Sequence, residues 1–415
     1  MPVSDVQTWE PSLAGASSAV GAAMVPVARH RVEAIDVVRG LIMIVMALDH
    51  TRDFFGMPGV NPVGLTTTTV PLFFTRWITH ICAPVFFLLT GTSAYLSLGR
   101  RPPRQLSRLL LTRGLWLIVL EVTVVRGVAY QFNVDYRVTV LLVLWALGWS
   151  MIALAALVYL PPVLVTSFGV LMIVSHNLLD PLQAVAFGAF APFFSILHAP
   201  GLVLARPEHL VLVTYPLIPW IGVTAAGYGL GQLYRQDADR RRTFLLRLGL
   251  GLIAAFVLLR WTNLYGDPAP WTSQASASFT LLSFLNVTKY PPSLLFLLMT
   301  LGPAALLLRL VDRGTPPLLR PARLIGAVPL FYYVLHFTLI HLLAVIVCYA
   351  RYGSAHWMFE SSSLAQFPFT PPPGWGYSLP VVYVVWIVVV VLMYPACVWF
   401  ASVKQRRPHW WVSYL

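Results

Sequence analysis

The sequence predicts an all-α protein, a polytopic transmembrane helical bundle of about ten spans with both termini in the cytoplasm. Three observations carry this. The 415-residue chain is 58% hydrophobic with a mean hydropathy of +0.74, and only 10% of its residues are charged. That is too little polar surface for a soluble protein of this length. Apolar runs of about 20 residues, the length that crosses a bilayer as a helix, recur along it. Lys and Arg gather in alternate short loops, as the positive-inside rule requires. A transmembrane β-barrel would instead show short alternating strands.

Residues 1–28 are rich in Ala, Ser, Gly and Pro and lack a basic stretch followed by an apolar core. They read as a flexible cytoplasmic tail rather than a signal peptide, and 29–415 reads as one transmembrane domain. The expected spans are 34–54, 71–98, 109–130, 138–160, 162–178, 209–232, 244–261, 291–311, 324–349 and 379–402. The apolar stretch 183–204 is broken by Gly and Pro and reads as interfacial or re-entrant. One set of loops carries Arg29 and Arg31; Arg100, Arg101, Arg104 and Arg108; Arg235, Arg240, Arg241 and Arg242; Arg309, Arg313, Arg320 and Arg323; and Lys404, Arg406 and Arg407. The other set is sparse in cations. The net charge of +13 is thus explained without nucleic acid, and the expected location is the inner (cytoplasmic) membrane. Cys82, Cys348 and Cys397 show neither disulfide nor zinc spacing and read as small buried hydrophobes. The longer outer loops at 262–290 and 350–378 carry Trp, Tyr, Asn and Ser. They serve either as a sugar-facing surface or as interfacial anchors.

The first span holds Asp36, Arg39, Asp49, His50, Arg52 and Asp53. Arg39 and His50 are eleven residues apart. That is close to three turns, so both project from one face, roughly 16 Å apart. Ionisable residues inside a membrane helix are costly and point to function. Asp36 and Arg39 can pair at i,i+3. The carboxylates beside His50 can raise its basicity as a general base, or the group is a polar cluster at a helix end. In the second span Arg76 and His80 share a face, and Pro84 frees a backbone carbonyl that could satisfy His80. Glu121 lies deep in the third span and must be paired, protonated or wet. In the ninth, His336 and His341 are five apart and face different directions; His336 has Tyr332 and Tyr333 one turn back. Lys289 and Tyr290 precede the eighth span on the outer side. There is no Walker A, G-x-G-x-x-G, H-E-x-x-H or G-x-S-x-G run, and no metal-ligand spacing. These residues fit general acid–base catalysis, or alternatively a proton-coupled secondary transporter that relays protons through buried Asp, Glu and His.

The run from Arg31 through Ile35, Asp36, Arg39 and Gly40 to His50 resembles the opening helix of the membrane-bound acyltransferase superfamily. The runs ALDHTRDFF, THICAPVFFLLTG, LTRGLWLIVLE, KYPPSLLFLLMTLGP, PLFYYVLHFTLIHLL and YPACVWFASVKQRRPHWWVSYL extend the likeness. Within that group the chain is most similar to the bacterial multi-pass family related to the heparan-α-glucosaminide N-acetyltransferase catalytic domain. The resemblance implies transfer of an acyl group, acetyl by default, from cytoplasmic acyl-CoA to a hydroxyl or amine of an extracytoplasmic glycan or lipid. Acyl-CoA is then a cosubstrate rather than a tightly bound cofactor, membrane lipid surrounds the protein, and a homodimer is a compatible assembly. By position, His50 matches the histidine held catalytic in the polysaccharide-modifying acyltransferases of the superfamily, and Arg39 their first-helix arginine. The lysosomal heparan-α-glucosaminide N-acetyltransferase, a member of the same superfamily, places its key histidine in the loop before the second span. Here that loop, GMPGVNPVGLTTTTV, has none, so the role falls to His50 or His80. Asp49, Asp53 and Glu121 are candidate catalytic partners. Asp36 joins Arg39 toward CoA, whose phosphates arginines suit. Arg52, Arg76, Lys289, Tyr290 and His336 are candidate substrate or oxyanion contacts.

Overall fold

A computed structural model of the protein describes residues 32–406; the expected N-terminal tail, Arg31 and Arg407 lie outside the described residues. Helix α1 (Glu33–Phe55) is followed by α2 (Val70–Ile78), α3 (Cys82–Ser97) and α4 (Pro103–Leu120), which runs on as a π-helical segment, Glu121–Tyr130. Then come α5 (Val143–Leu157), α6 (Pro162–Ser175), α7 (Ala191–Leu197), α8 (Leu217–Leu230) and α9 (Ala238–Thr262). The chain ends with α10 (Ala277–Leu285), α11 (Leu294–Val311), α12 (Arg320–Gly326), α13 (Pro329–Tyr352) and α14 (Leu379–Arg406).

A helix underlies each of the ten expected segments. Six runs among the described residues are long and apolar enough to cross a membrane: Val70–Ser97, Pro162–Leu179, Ala238–Thr262, Leu294–Val311, Pro329–Tyr352 and Leu379–Arg406. The multi-pass character therefore stands. The all-α expectation needs a correction. Strands β1 (Val138–Leu141), β2 (Gly201–Arg206) and β3 (His209–Val213) form a sheet in the order β1-β3-β2, with β1 parallel and β2 antiparallel to β3. The segments expected as spans 138–160 and 209–232 thus begin as strands. The stretch 183–204 resolves into a 3₁₀ turn, α7 and the start of β2. Short β-branched runs such as Val138–Val140 cannot be assigned to helix or strand by hydropathy alone.

Two breaks have local causes. Pro84 has no N–H to offer the carbonyl four residues back, that of His80, so 79–81 tightens into a 3₁₀ turn between α2 and α3. Pro329 starts α13 afresh after α12, dividing the ninth expected span. Close helix approach depends on small residues, as in other membrane bundles. A Cβ on Gly40 of α1 would fall 1.7 Å from the Ala322 carbonyl oxygen of α12. One on Gly91 of α3 would fall 1.9 Å from that of Thr224 on α8. Thr92 adds a hydroxyl bond of 2.9 Å from α3 to the Gly227 carbonyl.

Candidate functional site

The last two turns of α1 carry a buried charge network. Asp49, only 8% exposed, accepts from Arg52 Nη2 at 2.9 Å and from Arg76 of α2. Arg52 also donates to Asp53 at 2.7 Å. Arg76 reaches the Thr79 hydroxyl at 3.2 Å, which fixes it across the α2–α3 turn. The two i,i+3 pairs, Asp49 with Arg52 and His50 with Asp53, bring four ionisable groups to one helix end. Asp53 is the carboxylate that attends the imidazole: its Oδ2 is 3.4 Å from His50 Nδ1. That ring also packs 4.2 Å from Phe337 and 5.4 Å from His336, centroid to centroid.

Two cavities meet at this network. The smaller, about 390 Å³, takes in His50 and Asp49. The larger, about 980 Å³, takes in His80 and the loop 56–63. Arg52, Asp53, Arg76, Lys289, Tyr290 and Phe367 belong to the walls of both. The two candidate histidines therefore stand on opposite sides of one charged partition. His80 packs against Phe296 at 5.4 Å, and its Nδ1 has no hydrogen-bond partner among the described residues. The freed carbonyl near Pro84 does not satisfy it, because that carbonyl is its own and faces along the helix.

Lys289 and Tyr290 arrive on a loop fastened from beneath. Arg260, 1% exposed, donates to the carbonyls of Phe284, Ala269, Ser283 and Asn286 at 2.7–3.1 Å. Asp267 accepts from the Thr288 N–H at 2.8 Å, the Thr288 hydroxyl at 3.0 Å and the Ser293 hydroxyl at 2.6 Å. Ser293 in turn caps α11 through the Phe296 N–H. Burial works to raise the Tyr290 phenol, but the Lys289 ammonium and Arg76 guanidinium outweigh it and hold the pKa below the usual phenol value. Tyr215 is hydrogen-bonded to Tyr290.

The remaining candidates sit elsewhere. Arg39 donates to Asp36 at 3.1 Å, the Gly326 carbonyl at 3.2 Å and the Ser93 hydroxyl at 3.1 Å. It lines neither cavity. Glu121 lines neither as well; its carboxylate accepts the Leu144 N–H at 2.9 Å, at the start of α5, where helix N–H groups and the dipole favour an anion. His336 is sealed behind His50, with Nδ1 3.0 Å from the Tyr332 carbonyl oxygen. His341 faces away to the Met358 carbonyl and stacks on Phe132, as the five-residue spacing required. Sequence reasoning did not single out Tyr130, Tyr215 or Phe337 in the smaller cavity, or the Arg260–Asp267 anchor. Arg260 and Asp267 are ionisable residues at the start of the 262–290 segment, and that signal was available in the sequence.

The family model for heparan-alpha-glucosaminide N-acetyltransferase, catalytic, matches residues 31–262, more than half of the chain. The chain belongs to this family. Membership makes it a membrane acetyltransferase by class, in keeping with its apolar helices. The matched region contains both candidate histidines and the Asp49 network; Lys289, Tyr290 and His336 lie beyond it. No curated protein matches the chain.

Proposed function

We propose that the protein transfers an acyl group from cytoplasmic acyl-CoA to a hydroxyl or amine of an extracytoplasmic glycan or glycolipid. On this reading ten spans cross the inner membrane, both termini are cytoplasmic, and the larger cavity opens outward. The acceptor enters the larger cavity, whose Asn61, Thr67, Thr69, Trp375 and Tyr377 suit a sugar. The thioester reaches the smaller one. His50 takes the proton of the acceptor as its oxygen or nitrogen attacks the thioester carbonyl. Arg76 and Lys289 stabilise the resulting oxyanion. The carbon–sulfur bond then breaks, the acyl product forms, and the leaving thiolate takes the proton from His50 as free CoA. Asp53 steadies the imidazolium between these steps. Arg39, about three turns away on the same face of α1, holds CoA phosphates with Asp36 as its brace.

The observation that carries this reading is the position of His50: a histidine against a partition shared by two cavities, one for each substrate. The test is an inventory of envelope glycans and lipids in cells carrying the intact gene, no gene, or His50→Ala. One acyl ester or amide should vanish in both altered strains, while the purified His50→Ala protein still binds acetyl-CoA. An inventory unchanged by His50→Ala but altered by His80→Ala moves the base across the partition.

A further inference from the structure

Most hydroxyls in the walls of the smaller cavity are already committed. Thr79 donates to the Arg76 carbonyl at 2.7 Å and Thr214 to that of Leu141 at 3.0 Å. Tyr215 and Tyr290 hydrogen-bond to one another. Tyr130 and Tyr333 are different. Both line the cavity and are nearly buried, 6% and 4% exposed. Among the described residues neither hydroxyl has a hydrogen-bond partner. A buried hydroxyl left unpaired is costly, so two that border one chamber beside a candidate base point to a ligand. They arrive from separate elements and meet at one ring. Tyr130 ends the π-helical segment, which Arg126 braces by donating to the carbonyls of Asn133 at 2.6 Å and Val138 at 3.1 Å. Tyr333 lies in the second turn of α13, with Phe337 one turn on. The Phe337 ring centroid is 4.6 Å from that of Tyr130, 5.2 Å from that of Tyr333 and 4.2 Å from that of His50. Both contacts with the phenols are edge-to-face, which fixes the attitude of their rings.

We propose that the Tyr130 and Tyr333 phenols hold the carbonyl oxygen of the bound thioester. This rests on the transferase reading given above and adds two catalytic residues to it. As the acceptor attacks, the carbonyl π pair moves onto oxygen. The two phenols then share that charge with Arg76 and Lys289. They donate hydrogen bonds and keep their protons; the proton of the acceptor goes to His50 and on to the leaving thiolate. When the carbon–sulfur bond breaks, the pair returns to the carbonyl and the product is released. Neutral donors suit this task. Their bonds strengthen about twofold when the acceptor atom becomes charged, so they favour the transition state over the bound donor. Arg52 and Arg76 are both tied to Asp49, whereas the phenols have no competing anion.

The test uses the full chain in detergent, acetyl-CoA isotopically labelled at its carbonyl carbon, and S-ethyl-CoA, the thioether that lacks the carbonyl oxygen. Infrared difference spectra read the stretch of the bound carbonyl, and calorimetry reads the affinities. Tyr130→Phe and Tyr333→Phe should each raise the stretching frequency, and the double variant should raise it furthest. Each single change should weaken acetyl-CoA binding about two- to tenfold, the range for one neutral hydrogen bond, and leave S-ethyl-CoA unchanged. The enclosed Tyr332 hydroxyl borders neither cavity, so Tyr332→Phe should change neither reading. A stretch unmoved by either single variant overturns the pair; the carbonyl then belongs to Arg76 and Lys289, with CoA still the donor. Equal weakening of acetyl-CoA and S-ethyl-CoA, with the stretch unmoved, marks a packing defect and overturns it as well. If neither compound binds the unaltered protein, the transferase reading falls and this assignment falls with it.

Discussion

Asp49 is the anion on which two arginines depend, and its removal has a calculable cost. Arg52 and Arg76 each keep about an eighth of their side-chain surface in contact with solvent space, as does Asp49, at 12% apiece. Unit charges about 4 Å apart at an effective dielectric near 20 attract by about 4 kcal/mol. Two such attractions face the desolvation of three ions, so the net worth of the cluster is far smaller than their sum. Removing one partner is another matter, because it strands the others. Asp49→Asn should therefore destabilise the protein by about 3 kcal/mol, the low end for a broken buried pair given the residual exposure. Adding Arg76→Gln should recover about half of that, since Arg52 retains Asp53 at 2.7 Å. The assay is a double-mutant cycle in mixed micelles, unfolding with a denaturing detergent and following tryptophan fluorescence. If Asp49→Asn costs under about 0.5 kcal/mol, or the two changes simply add, the network is solvated and the partition argument loses its basis.

Three further outcomes follow from the same geometry. Glu121→Ala should destabilise by about 1–2 kcal/mol, the range for losing a helix cap, without changing the affinity for acetyl-CoA; a selective loss of donor binding would give Glu121 a role at the site. Arg260→Met should abolish transfer with the bulk of the helical circular dichroism retained, because four loop carbonyls lose a charged donor worth about 1.5–3 kcal/mol to bury; wild-type activity would show that Lys289 and Tyr290 need no anchor. Ultraviolet difference titration should reveal one tyrosine ionising below the ordinary phenol range, and Tyr290→Phe should remove it. The sign follows from linkage: an acid whose folded pKa is depressed adds stability as pH climbs through that folded value, fully present once the unfolded phenol has also ionised. A titration in which Tyr290→Phe leaves the lowest transition in place assigns it to another residue.

The sequence exposed the helices well and the site in part. Long apolar runs with cations between them are self-announcing, because bilayer thickness fixes their length. The sheet was hidden: Val138–Leu141 and His209–Val213 pair across about seventy residues of sequence, and hydropathy carries no information on partners. Asp49, His50, Arg52 and Asp53 were legible because helical periodicity collects them from one short run. Their relation to Lys289 and Tyr290 was not, since it depends on Arg260 and Asp267 fixing the segment that carries those two residues. Glu121 was legible only as a problem, a buried carboxylate needing a partner. Its partner is backbone at the start of another helix, which no side-chain inventory includes.

That difference in origin bears on how the site is built. His50 is held by its own helix, by Phe337 and by the sealed His336 behind it, all within rigid, close-packed segments. Lys289 and Tyr290 are held by a loop whose stiffness comes from one buried arginine and one aspartate. On the proposed mechanism His50 must meet a proton within hydrogen-bond reach, and rigid helices would supply that accuracy. Cationic oxyanion contacts tolerate more displacement, because charge acts over distance where a directed hydrogen bond does not. On that mechanism, changes in the loop should alter which acceptors are used while the chemistry proposed at α1 is kept. On the proposed mechanism, swapping the segment 270–282, which carries most of α10, for another of equal length, with Lys289, Tyr290 and the Arg260–Asp267 anchor preserved, should change the acceptor and not the donor.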